Sequence, residues 1–145
     1  MFIITSMKTK FFIAAAVVLL LFFAGCSKSD NEPGISSIDW NDTDHRAEQF
    51  VTALVNGDYS IAKEGFDANM EKALGKNGLK RAWESTVKAA GTFVSIMGTK
   101  TEPNDDYEIY IVTSRHQNKG IASRVVFSKD GLIAGLFFSF VDNPL

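Results

Sequence analysis

Side chains suited to acid–base work inside an apolar pocket are Tyr110, Tyr107 and His116, with Trp83 as an aromatic companion. A general acid or base needs hydrogen-bond reach to its proton and a pKa tuned toward the working pH. Tyr110 or His116 would fill that role if the chain were an enzyme acting on a small hydrophobic substrate. The residues' settings argue otherwise: Trp83 falls on the apolar stripe of a helix and Tyr110 on an apolar strand, so both read as core aromatics. His45 precedes a helix and His116 adjoins a turn, and both read as surface histidines. Asp39-Trp40-Asn41-Asp42-Thr43-Asp44 opens like a calcium loop. It has Asp44 where the sixth position needs glycine and Phe50 where the twelfth needs glutamate. Asp105-Asp106 is a turn without a third ligand, and two separated histidines give zinc or haem no ligand set. No metal or cofactor is expected.

The most definite chemistry belongs to Cys26, the single cysteine. Lys8 and Lys10 precede an apolar run over residues 11–25 that closes on Phe23-Ala24-Gly25. Charge, apolar stretch, then small residues is the layout of an export signal. The run is shorter than the roughly 20 residues of a membrane-spanning helix. Ala24-Gly25-Cys26 resembles a bacterial lipoprotein processing site, with Phe23 in place of the usual leucine. That resemblance implies removal of residues 1–25 as a signal peptide and acylation of Cys26, with palmitate among the acyl chains. The chain would then be lipid-anchored to a membrane of the cell envelope, on the extracytoplasmic side. One acyl chain anchors marginally and two or more anchor stably. A lipidated Cys26 leaves no thiol for a disulfide, so the domain must be held by its core.

Removing Lys8 and Lys10 from the 15 basic residues leaves 13 against 17 acidic, a net charge of −4. Nucleic acid binding needs a clustered basic surface, and none is present. Residues 26–38 hold the lipidated cysteine and a polar segment with Pro33 and Gly34, a flexible tether. Residues 39–145 form a single α+β domain of ordinary size.

The first half of that domain reads as helical. Ala47, Phe50, Val51, Leu54 and Val55 make one stripe at helical spacing, with Asp42, Thr43 or Asp44 as cap and Gly57 as stop. A short helix opens at Asp58-Tyr59, Asp67 caps another carrying Met70 and Leu74, and Leu79, Ala82, Trp83, Val87 and Ala90 mark the last. Strands follow over residues 92–101, 107–116, 120–128 and 132–141, rich in β-branched and aromatic residues. Asp130-Gly131 predicts a two-residue type I′ hairpin, which places Lys129 opposite Leu132, Phe127 opposite Ala134 and Val125 opposite Leu136. Ile121, Val125, Phe127, Ala134, Leu136, Phe138 and Phe140 then share the core face, joined by Tyr110, Val112, Ser114 and His116 from the preceding strand. Arg124, Val126, Ile133, Gly135 and Phe137 fall on the reverse face.

The expected fold is thus α+β, with N-terminal helices on one face of a four-stranded antiparallel sheet. Phe50-Val51-x-x-Leu54, Gly57-Asp58-Tyr59, Phe66-Asp67-x-x-Met70, Trp83, Gly91-x-Phe93 and Val125-Val126-Phe127-x-x-Asp130-Gly131-x-Ile133-x-Gly135-Leu136 resemble an uncharacterised bacterial envelope family. Its members are similar to the cone-shaped, cystatin-like fold of nuclear transport factor 2 and ketosteroid isomerase. In that family the domain stands alone or precedes an α/β-hydrolase domain. The resemblance implies no catalytic residue, and the sequence contains no Gly-x-Ser-x-Gly elbow.

The expected function is non-enzymatic: a lipoprotein binding a small apolar ligand or an envelope partner. Trp83, Phe93, Tyr110 and Phe138 are the candidate pocket lining. Residues 131–141 are apolar on both faces, where a sheet with one wet face alternates. Either the chain itself covers part of the outer face, or Val126, Ile133 and Phe137 are a candidate partner face for a second copy in a homodimer or for another envelope protein. Burying one such side chain gains roughly 1.5–3 kcal/mol.

Overall fold

The computed structural model describes residues 35–142. Cys26, the signal peptide and most of the tether lie outside the described residues. Four helices, α1 (Arg46–Asn56), α2 (Tyr59–Lys63), α3 (Ala68–Leu74) and α4 (Gly78–Ala90), precede four strands. The strands are β1 (Phe93–Glu102), β2 (Glu108–His116), β3 (Gly120–Phe127) and β4 (Ile133–Val141), paired antiparallel in chain order. The fold is α+β, with the helices N-terminal to the sheet.

Local chemistry explains the helix ends. Asp42 organises the turn before α1: its carboxylate accepts the Asp44 and His45 amides, and its carbonyl accepts that of Arg46. Gly57 ends α1 at φ 81°, a left-handed conformation that glycine reaches without a Cβ clash. The Asp67 carboxylate accepts the Met70 amide at 2.7 Å and so caps α3.

The helices bury one face of the sheet. Phe50 and Leu54 of α1 and Leu79 of α4 meet Val112 of β2 and Ile121, Val125 and Phe127 of β3 in a single buried cluster. Tyr110, Val112, Ser114 and His116 all lie on this face, as the alternation of β2 predicts. Phe140 also shares it by register, opposite Ile121, yet is 47% exposed at the end of β4.

The β3–β4 connection departs from expectation. Among the described residues, only glycines have positive φ, which excludes a type I′ turn through Asp130. The Ser128 carbonyl instead accepts the Gly131 amide at 2.9 Å, and the Ser128 amide donates to the Leu132 carbonyl at 2.8 Å. The loop is therefore three residues long, with Gly131 at φ 77°. Phe127 consequently pairs with Ile133, and an irregularity at Ala134 restores Val126 to Gly135 and Val125 to Leu136. One extra loop residue and one bulge cancel in register, but they turn Ile133 inward.

Phe66 bridges to the edge of β4 at Ile133, through the Ile133 amide to the Gly65 carbonyl and the Asp67 amide to the Ile133 carbonyl. Trp40 packs directly over Gly65, where a methyl group would collide with the indole. Gly65→Ala should therefore displace Trp40 and cost about 1–3 kcal/mol of overpacking strain. A lowered urea midpoint with altered tryptophan fluorescence is the expected outcome.

Candidate functional site

α4 ends at Gly91, and β1 begins two residues later beside the end of β2. The space between them and α1 is a cleft of about 470 Å³, lined by Val55, Trp83, Val87, Lys88, Gly91, Thr92, Phe93 and His116. That volume lies within the range of small-molecule sites. Trp83 is buried at the floor, with its ring centroid 6.1 Å from His116 and 5.3 Å from Phe138. Phe93 meets the His116 ring edge-to-face at 5.7 Å. Val55, Trp83, Val87 and Phe93 thus give the wall its apolar surface, and Lys88, Thr92 and His116 supply its polar side chains.

His116 is not the surface residue that its neighbouring turn suggests; it is fully buried. Nδ1 lies 3.0 Å from the Gly91 carbonyl, which only accepts, so Nδ1 donates. Nε2 lies 3.1 Å from the Ser114 hydroxyl, itself 3.3 Å from the Ile121 carbonyl. The imidazole thus ties the α4 stop to β2 and β3. Any proton transfer to a ligand would have to break one of these buried contacts.

Of the four expected lining residues, Trp83 and Phe93 share this cleft. Phe138 stands behind Trp83 instead. Tyr110 lies at the other end of the sheet, edge-to-face with Phe127 at 5.8 Å. Of the expected partner face, Ile133 is wholly buried on the helix side, which corrects its assignment; the three-residue loop is the cause. Val126 is on the outer face but 8% exposed, with the Phe137 ring lying beside it over Gly135. Phe137 alone is open, at 59%.

Around Tyr110 the structure gathers residues that sequence reasoning passed over. Arg46, the first residue of α1, is buried with its guanidinium carbon 4.1 Å from the Phe127 centroid and 5.9 Å from that of Tyr110. It forms an ion pair with the half-exposed Glu108 carboxylate. Its position four residues before Phe50 places it on the buried stripe, a signal present in the spacing. Among the described residues, no group of three His, Cys, Asp or Glu side chains is placed to hold a metal.

Burial raises the Tyr110 phenol above its ordinary pKa, the Glu108 carboxylate adds to the rise, and Arg46 opposes it. A phenol with a raised folded-state pKa contributes stability that is complete below the unfolded value of about 10 and lost as pH climbs through the folded value. Tyr59 is raised for a related reason, burial and then the Glu84 carboxylate. Urea midpoints should therefore fall as pH rises above about 10, and Tyr110→Phe should make that fall shallower.

A search of curated proteins and one of solved structures each gave no match. A family model does match, over residues 47–136, from the buried stripe of α1 to the middle of β4. The chain belongs to the family described as protein of unknown function (DUF3887).

Proposed function

We propose that this chain is a lipid-anchored envelope protein whose domain binds a small apolar molecule without transforming it. The cleft between α4 and β1 carries the reading. Four of its eight lining residues, Val55, Trp83, Val87 and Phe93, are apolar and Lys88, Thr92 and His116 are polar, and an apolar surface with a few polar groups that orient a ligand is the usual composition of a binding site. The one imidazole in the wall is engaged structurally through both ring nitrogens. Tyr110, the other candidate acid or base, stands at the far end of the sheet beside Phe127. These placements favour holding a ligand over turning it over.

The anchor in this reading is Cys26, after removal of residues 1–25, with the tether carrying the domain away from the membrane surface. The helices-then-meander order is compatible with the cone-shaped fold of nuclear transport factor 2. Cys26→Ser should abolish incorporation of labelled palmitate. Retained labelling would remove the lipoprotein half of the proposal.

The binding half is tested by native mass spectrometry of the chain purified from its own host's envelope. A reproducible added mass per subunit is expected. Val87→Trp should fill the cleft from its half-exposed wall and remove that mass while leaving the melting temperature near that of the parent. Added mass that survives Val87→Trp, or none in the parent, would contradict the reading.

A further inference from the structure

The four-stranded sheet ends in two edges, β1 and β4, and the two are built differently. An edge strand exposes unpaired amides and carbonyls, and proteins that stay single blunt such edges with bulges, charges or prolines. β1 is blunted in this way. Its pairing with β2 is interrupted between Phe93 and Ser95 and again between Ile96 and Gly98, and it carries Lys100 and Glu102.

β4 has none of these devices beyond its first residues. From Gly135 to Val141 its register with β3 is unbroken, and the strand contains no charged residue and no proline. The Phe66 segment occupies the edge at Ile133. Farther along, Phe137 is 59% and Phe140 47% exposed. The nearest cations are Arg124 and Lys119, over the Phe137 and Phe140 rings respectively; they come from β3 and the turn before it, inboard of the edge.

The end of the strand is also nearly palindromic. Phe137-Phe138-Ser139-Phe140-Val141 reads apolar, Phe, Ser, Phe, apolar in either direction. An isologous contact requires such self-complementarity, because each residue must suit both its own position and its symmetry mate's. We propose that β4 pairs antiparallel with β4 of a second copy of this chain, about a twofold axis at Ser139. Phe138 then faces Phe140 of the second copy on the helix side, and Phe137 faces Val141 on the outer side. Only the small Ser139 meets itself at the axis. The pairing covers both exposed phenylalanines and joins two four-stranded sheets into one of eight. It differs from a dimer through the outer face, two of whose three expected residues are already buried.

Ser139→Cys in the full chain, held in its native membranes, tests this directly. Directly opposed residues of an antiparallel pair have Cα atoms about 4.5–5.5 Å apart, within the span of about 4.4–6.8 Å that a disulfide bridges. Mild oxidation should convert most of the Ser139→Cys chain to a cross-linked dimer, well above the unsubstituted chain, whose one cysteine is Cys26. Thr101→Cys on the exposed β1 edge should stay at that background. In detergent, Ser139→Lys should shift the parent's dimer to monomer by sedimentation, with an unchanged far-ultraviolet spectrum. Three results would each overturn the proposal: no cross-link through Ser139→Cys, equal cross-linking through Thr101→Cys, or a dimer that persists in Ser139→Lys. A strand supplied by a different protein would show as the first of these.

Discussion

The register of β3 against β4 is the constraint on which the other features hang. One face of this sheet is buried by helices, so a net slip of one residue would reverse every side chain of β4. The three-residue loop introduces such a slip, and the irregularity at Ala134 removes it within two residues. Between the two, Ile133 faces the helices and offers its backbone to Gly65 and Asp67. That bridge ties the segment between α2 and α3 to the sheet and sets where Trp40 can lie. At the same end, Gly131 leaves room for the Arg46 guanidinium, which stacks on Phe127.

The two ends of the sheet have consequently become different places. Around Phe127 the polar groups are drawn into the packing: Arg46 pairs with Glu108, and Tyr110 turns its ring onto Phe127. Around His116 the chain leaves a gap instead. The α4 helix stops at Gly91, whose φ of 88° turns the chain away from the helix, and β1 starts only after that turn. The imidazole braces the turn through Gly91 and leaves the space between Trp83, Val87 and Phe93 as a cleft. Cleft and brace come from the same residues, so the mouth is built into the helix stop.

Much of this was legible in the amino-acid order. The stripe from Ala47 to Val55, the caps at Asp67 and Gly57, and four β-rich segments placed the elements within a residue or two. The inward face of β2 also followed from alternation. What escaped were effects that depend on a single residue of loop length or on contacts distant in sequence. Asp-Gly signals a tight turn but not how many residues it spans, and that one residue moved Ile133 from the outer face to the core. His116 adjoins a turn, yet its neighbours in space are Gly91, Trp83 and Phe93, 23 to 33 positions earlier in the chain. Arg46 was masked by its charge, although its spacing from Phe50 already placed it among buried positions.

Binding of a small apolar molecule at the α4–β1 cleft is open to direct mapping. A backbone amide spectrum of the isotopically labelled chain, titrated with the neutral probe N-phenyl-1-naphthylamine, would locate binding residue by residue. Saturable shifts concentrated at Trp83, Val87, Gly91, Phe93 and His116, with one probe per chain, are the expected result. Shifts centred on Phe137 and the outer sheet face, or scattered without saturation, would contradict it.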